Sequence, residues 1–213
     1  MTMPDSPRAE SRSERKRRQN REALIEAGYQ LIADKGIDAA TMSEIAEMAD
    51  VSAGTVYYYF DSKDELAMAV MERVMERLAW RISVATKGFD DPASVYAFGV
   101  RSTIQIATTD QRWNWLLRRS EVIADAMFRV LGPHATRDLR LAAAAGRFHF
   151  EDAELVYRLT TDAIVGICRA ICDNQLSSAS IDEAVILLLG MAGMPRAEAK
   201  KIFRKKWPKL PED

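Results

Sequence analysis

The sequence predicts an all-α fold: a small N-terminal domain of three helices containing a helix-turn-helix, followed by a larger domain that is helical throughout. Three observations carry that prediction. Apolar residues recur at spacings of three and four over most of the chain. The breaks between the periodic stretches bear helix caps, among them Thr41 with Glu44, Ser62 with Glu65 and Ser180 with Glu183. No run of alternating polar and apolar residues marks a strand.

The first helix rests on Leu24, Ala27, Gly28, Leu31 and Ile32, which build one apolar stripe after Arg21. Lys35 and Gly36 end it, the lysine favouring a helix C-terminus and the glycine accepting a left-handed conformation. The second starts at the Thr41 cap and is about two turns long, with Ile45, Ala46 and Ala49 facing inward. After the tight connection Asp50-Val51-Ser52, Ser52 caps a third short helix from Ala53 to about Tyr58. The Ser62 box then opens a long helix with Leu66, Val70, Val74 and Leu78 at steps of four. The stretch TKGFDDP breaks it, and Asp91-Pro92 supplies a cap and a first-position proline. Five further helices are expected near 92–107, 110–131, 134–145, 152–174 and 181–193, with breaks at Gly132-Pro133 and Gly146. The expected organisation is a flexible basic arm over 1–18, the helix-turn-helix domain over 19–66 and the larger domain over 67–213.

Composition narrows the class. Hydrophobic residues make up 48% and charged residues 29% of the 213, ordinary values for a chain that buries a core. No apolar run reaches the roughly 18 residues of a membrane span, so a cytoplasmic protein with no membrane partner is expected. Cys168 and Cys172, four apart, share a helix face and read as small buried apolar side chains rather than a disulfide. The net charge of −1 hides two basic ends. Arg8, Arg12, Arg15, Lys16, Arg17, Arg18 and Arg21 precede the first helix, and a second cluster runs from Arg196 to Lys209.

The two short helices cannot stand alone, since isolated helices below about 12 residues are marginal in water. Packing on the first and fourth helices uses Val51, Val56 and Phe60, and leaves Ala53, Gly54, Thr55, Tyr57 and Tyr58 facing outward. A face that is small at its N-terminus and rich in hydroxyls can approach a DNA groove closely and donate to phosphates, helped by the amides at the helix starts and with Ser52, the cap of the third helix, among the candidate contacts. It has no Arg, Lys, Asn or Gln to read bases bidentately, so discrimination falls to the Thr55 methyl, tyrosine hydroxyls, Ser43, water and DNA shape. The arm, with Arg17, Arg18 and Arg21, is expected to enter an adjacent minor groove.

The run ALIEAGYQLIADKGIDAATMSEIAEMADVSAGTVYYYFDSKDEL closely resembles the N-terminal DNA-binding domain of the TetR/AcrR family of bacterial transcriptional regulators. The resemblance covers some 45 to 50 residues, including the Ile-Ala pair, Val-Ser at the turn, Gly-Thr-Val-Tyr, Tyr-Phe and Ser-Lys-x-x-Leu. It implies that the helix of Gly54 to Tyr58 is the recognition helix, that Thr41, Tyr57 and Lys63 contact phosphates, and that Thr55 lies at or near the groove. Tyr58 is assigned a base edge or a further phosphate, and Tyr59 a structural place beside Phe60.

In the larger domain the segment IATTDQRWNWLLRRSEVI concentrates aromatic and apolar surface. Trp113, Trp115 and Leu116, with Met127 and Phe128, are the candidate walls of a pocket for a largely apolar or aromatic small molecule, although any core uses the same residues. His134 and His149 lack spaced partners, so neither metal nor cofactor is expected. Leu155, Leu159, Ala163, Gly166 and Ala170 form one late stripe; Ile181, Val185, Leu188, Leu189 and Ala192 form another in the run AVILLLGMAGM. Both are assigned to a homodimer interface, two helices from each subunit making a four-helix bundle about a two-fold axis.

These readings combine into a non-enzymatic, dimeric regulator on double-stranded DNA, a repressor released from a palindromic operator by a small-molecule effector. An activator or an effector-independent DNA-binding protein is the alternative. A carrier or enzyme with a vestigial helix-turn-helix is less consistent, because no phosphate loop, metal cluster or activated nucleophile is apparent.

Overall fold

The computed structural model describes residues 11–110, 113, 117, 120–204 and 206–212, and all regular elements among them are helical. The chain divides into two compact units, Met1–Val70 and Met71–Asp213.

In the first unit, α1 (Arg12–Ala39) begins at a full capping box: the Ser11 hydroxyl accepts from the Glu14 N–H and the Glu14 carboxylate accepts from the Ser11 N–H. Residues 12–18 are therefore helix, which corrects the expected flexible arm; residues 1–10 lie outside the described residues. The helix is interrupted at Gly36, where φ of 78° fits the glycine stop. α2 (Met42–Met48) starts at the reciprocal Thr41–Glu44 box, and α3 (Ala53–Tyr59) is capped by the Ser52 hydroxyl. Asp50, with φ of 53°, makes the turn between them. α4 (Lys63–Ala85) follows; Ser62 accepts from the Glu65 N–H at 3.1 Å, but the Glu65 carboxylate reaches back to the Asp61 N–H at 2.7 Å, one residue earlier than a strict box. Leu24, Ile45, Val56, Phe60 and Leu66 form the core of this unit. Gly28 lets α1 approach α4, since a Cβ there would meet Val70 Cγ2 at 3.1 Å.

The second unit contains the rest of α4, then α5 (Pro92–Thr109), α6 (Ser120–Val130), α7 (Gly132–Ala144), α8 (Ala153–Cys172), α9 (Ile181–Met191) and α10 (Arg196–Ile202). α5 is the central element and packs on α7, α8 and α9 through residues such as Tyr96, Phe98 and Ile104. Asp91 caps it and also receives Arg147, whose Nε lies 3.2 Å away; burial pushes the Asp91 pKa up, but Ser94, Arg147 and the Ala93 N–H hold it below the usual range. The loop after α7 docks through the His149 N–H, which donates to Ala192 O at 3.0 Å. Ala199 and Ile202 of α10 pack inward, and Trp207 stacks on Phe98 with centroids 5.3 Å apart. Cys168 is buried, its thiol pushed up to about 12 chiefly by burial, and neither cysteine is in a disulfide.

Three expectations change here. The break expected at Gly132-Pro133 falls one residue earlier, at Leu131: α6 ends at Val130, and Gly132 and Pro133 are the first residues of α7. Ser180 makes no side-chain cap, because a 3-10 turn, Ser178–Ser180, leads directly into α9 and Ser177 caps that turn instead. On α9 the proposed interface residues Ile181, Val185, Leu188, Leu189 and Ala192 are all buried within the unit, so they are core rather than contact surface. A helix apolar on every side gives periodicity nothing with which to choose the inward stripe.

Candidate functional site

The α2–α3 pair presents a continuous polar and aromatic face. Thr41, Ser43, Ser52, Ala53 and Gly54 are exposed, Thr55 is half-buried, and Tyr57 and Tyr58 stand 56% and 67% exposed. Adjacent exposed tyrosines offer an apolar body with a hydroxyl tip, the kind of side chain enriched at interfaces. Beside Gly54 nothing but Ser52 Oγ comes within 4 Å of a Cβ position, so the backbone at the start of α3 is open to approach. The Ser52 and Thr55 hydroxyls are 2.9 Å apart, which fixes the Thr55 rotamer and turns its methyl away from the cap. Behind the face, Val56 and Phe60 anchor α3 in the core.

The basic part of α1 joins this face. Arg17 lies over the Tyr58 ring at 5.7 Å from its centroid, and Arg21 over the Phe60 ring at 5.3 Å. Arg18 is exposed on the same helix. The sequence reading puts Arg17 and Arg18 in a flexible arm over 1–18; the Ser11-x-x-Glu14 pattern is the signal that the helix starts earlier. Tyr59 packs edge-on against Tyr58, centroids 5.0 Å apart.

Two of the expected phosphate contacts are also structural. Lys63 is half-buried and its ammonium donates to Asp38 O and Ala40 O, both at 3.2 Å, leaving one of its three protons for another acceptor. The Thr41 hydroxyl donates to Glu44 at 2.8 Å. Glu44 also pairs with Lys35, and these contacts, the Lys35 hydrogen bond foremost, lower its pKa to about 2.

In the second unit a cavity of about 110 Å³ lies between α4, α5, α7 and α8. Its apolar wall includes Ile82, Val95, Val100, Met127, Leu131 and Ile164. Tyr96 and Tyr157 bring phenol groups to it: the Tyr96 hydroxyl is 3.1 Å from Thr160 Oγ1, and the Tyr157 hydroxyl donates to Met127 O at 2.8 Å. Burial pushes the Tyr96 pKa up to about 12 and raises that of Tyr157, so both remain neutral phenols. Ser83, His134 and Arg137 stand at the exposed side, where Arg137 is paired with Asp138 at 2.8 Å.

Of the expected pocket residues, Met127 lines this cavity. Trp113 does not: it is 1% exposed and belongs to the core, where a large apolar ring gains most from burial. Phe128 lines a neighbouring surface pocket and packs edge-on against Tyr157. Trp115 and Leu116 lie outside the described residues. Tyr96 and Tyr157 were missed because nothing in their local sequence distinguishes a cavity wall from any buried aromatic. Among the described residues no three His, Cys, Asp or Glu side chains gather as a metal site would require, and no helix is long and apolar enough to cross a membrane.

On α8, Leu155 is 54% exposed, Leu159 and Gly166 are exposed, and Ala163 and Ala170 are half-buried. On α9 the exposed apolar residues are Leu187, at 57%, and Met191.

Comparison with known proteins matches both parts of the chain. Residues 24–70 fit the model of bacterial regulatory proteins of the tetR family, and residues 91–205 fit the tetracyclin repressor-like C-terminal domain. Among curated relatives, the regulator BetI of Rhizobium meliloti is 41% identical over 58 residues, which is 27% of this chain and only 29% of BetI. The repressor KstR of Mycolicibacterium smegmatis is 25% identical over 186 residues, 84% of this chain and 91% of KstR. Among solved structures, RolR in complex with resorcinol superposes with a TM-score of 0.81 at 30% identity, covering 92% of this chain and 99% of RolR. With a helix-turn-helix match at one end and a C-terminal domain match over more than half its length, this chain belongs to the TetR family of bacterial regulatory proteins.

Proposed function

We propose that the protein is a homodimeric repressor that leaves a palindromic operator when a small, single-ring aromatic compound, phenolic in character, occupies the cavity of the second unit. The observation that carries this reading is the cavity itself. At about 110 Å³, with apolar walls and the neutral phenols of Tyr96 and Tyr157 among its lining side chains, it suits one small aromatic ring, for which the bonded tyrosine oxygens can still accept a hydrogen bond. A dry protein cavity of about 150 Å³ holds benzene, so a space of about 110 Å³ admits one ring at most, and only with a small outward shift of its walls. RolR, whose solved complex contains resorcinol, supports the same ligand class.

On DNA, α3 enters the major groove with Thr55 and Tyr58 at the bases, while Thr41, Tyr57 and the remaining Lys63 proton meet phosphates. Ser43 and the amides near Ser52, Ala53 and Gly54 complete the approach, and Arg17, Arg18 and Arg21 follow the backbone from α1. The exposed apolar faces of α8 and α9 pair two copies across a two-fold axis. The first unit is the DNA-binding domain, and the second binds effector and dimerises. α4 supplies Leu66 and Val70 to the core of the first unit and Ala79 and Ile82 to the cavity wall. An effector that binds one position of α4 better than another therefore biases the state of the DNA-binding domain.

The test is a mobility shift of the full chain on DNA upstream of its own gene, with and without resorcinol and related single-ring phenols. Loss of the shifted band at effector concentrations that leave the protein folded is expected. A shift insensitive to every such compound favours the effector-independent reading.

A further inference from the structure

The cavity is not isolated. A second pocket of about 280 Å³, open to the surface, lies between α6, α7 and α8 and is lined by Thr136, Glu154 and Arg158 among others. Among the described residues Tyr157 is the one that lines both spaces. Its ring is held by three contacts. The hydroxyl donates to Met127 O at 2.8 Å, and Phe128 meets the ring edge-on with centroids 5.4 Å apart. Gly132 lies so close that a Cβ there would stand 3.1 Å from Tyr157 Cε1, so the glycine makes room for the ring in this position. The outer pocket has a different character from the inner one: the Arg158 guanidinium, 4.1 Å above the Phe128 ring, brings positive charge to it, while the Glu154 carboxylate that also lines it is paired with Arg140.

We infer that Tyr157 is the specificity-determining partition that limits the effector to one ring, and that the pocket beyond it is a latent second subsite for a ring or carboxylate. This rests on the cavity being the effector site. A side chain that separates two lined spaces excludes any ligand long enough to need both; removing its ring joins them into one elongated site. The inner space then takes a phenol, and Arg158 faces the far end of a longer ligand.

The experiment is calorimetric titration of the full-length protein with resorcinol, 4-phenylphenol and biphenyl-4-carboxylate, comparing wild type with Tyr157→Leu. The wild type is expected to bind resorcinol and to bind both two-ring probes at least tenfold more weakly. Tyr157→Leu is expected to reverse that order, gaining tenfold or more for the two-ring probes. Arg158→Ala in the same background should remove the gain for the carboxylate and spare it for 4-phenylphenol. Operator binding and melting temperature report folding; if Tyr157→Leu fails them, Tyr157→Met, which refills the space with a flexible chain, decides the matter. Tyr157→Phe keeps the ring and should keep the wild-type preference. A wild type that binds resorcinol while the Leu or Met variant gains nothing for two-ring probes overturns the partition and leaves the cavity reading intact. A wild type that binds neither resorcinol nor other single-ring phenols removes the cavity reading, and the partition with it.

Discussion

Arg17 of α1 lies over the ring of Tyr58 in α3, its guanidinium carbon 5.7 Å from the ring centroid. The basic N-terminal extension is thus tied to the face proposed to read DNA, and it reaches that face as a capped helix rather than as a loose arm. The stacked guanidinium keeps its charge available to a phosphate while restricting the Tyr58 ring.

Arg17→Ala is accordingly expected to weaken binding to all DNA sequences by about three- to tenfold and to lower the salt slope of log affinity by about one unit. Fluorescence anisotropy at several salt concentrations measures both quantities. Loss confined to the cognate operator with an unchanged slope contradicts the phosphate role.

How far the sequence exposed this depends on how local each feature is. The Thr41–Glu44 box, the Ser52 cap and the Asp91-Pro92 start were all legible, because a cap is decided within four residues. Ser180 failed by the same locality, since the 3-10 turn before it already supplied a helical backbone. The α9 stripe was not legible: burial of Val185 and Leu189 against exposure of Leu187 is settled by which neighbours arrive, and the sequence there is apolar on all sides. The cavity was further still from view. It is bounded by residues from 79 to 164, and its chemistry turns on Tyr96 and Tyr157, whereas local aromatic density pointed to Trp113.

Glu44 gives a pH signature. Its folded pKa, about 2, is below the ordinary glutamate value of about 4.3, so its contribution to stability is complete above about pH 4.3 and is lost as pH falls towards 2. Glu44→Gln should therefore melt below wild type at pH 6, with the difference shrinking to nothing as both are taken towards pH 2. A difference independent of pH would show that the carboxylate charge contributes nothing to the cap.

Among the ten glycines, Gly193 is the least tolerant of a side chain. Its φ is 78°, and a Cβ would fall 2.1 Å from the His149 carbonyl oxygen. Gly193→Ala should cost at least about 3 kcal/mol in urea unfolding. Gly146, with φ of 68° but nothing within 4 Å of its Cβ position, is the control, and Gly146→Ala should cost only about 1–2 kcal/mol. Equal losses at both sites would mean that the His149 contact is easily relaxed.

The proposed dimer face separates two kinds of leucine. Leu159→Glu with Leu187→Glu places charges on the exposed apolar face and is expected to cost dimerisation about 3–5 kcal/mol, giving a folded monomer in light scattering. Leu188→Ala acts on the core instead, and should lower stability by about 2–5 kcal/mol while the folded protein keeps its dimer mass. A dimer that survives the double glutamate variant would place the interface elsewhere.

The central claim is coupling between the cavity and the DNA-binding face, and the most direct test is to titrate resorcinol, or a single-ring phenol found to release the operator, into the free dimer and into the dimer saturated with operator. Linkage requires reciprocity: if the compound weakens operator binding by a given factor, operator must weaken binding of the compound by the same factor. The predicted result is a common factor of tenfold or more in both directions, abolished when the cavity is filled by Gly99→Leu. Equal affinity for the free and operator-bound dimer would contradict the account.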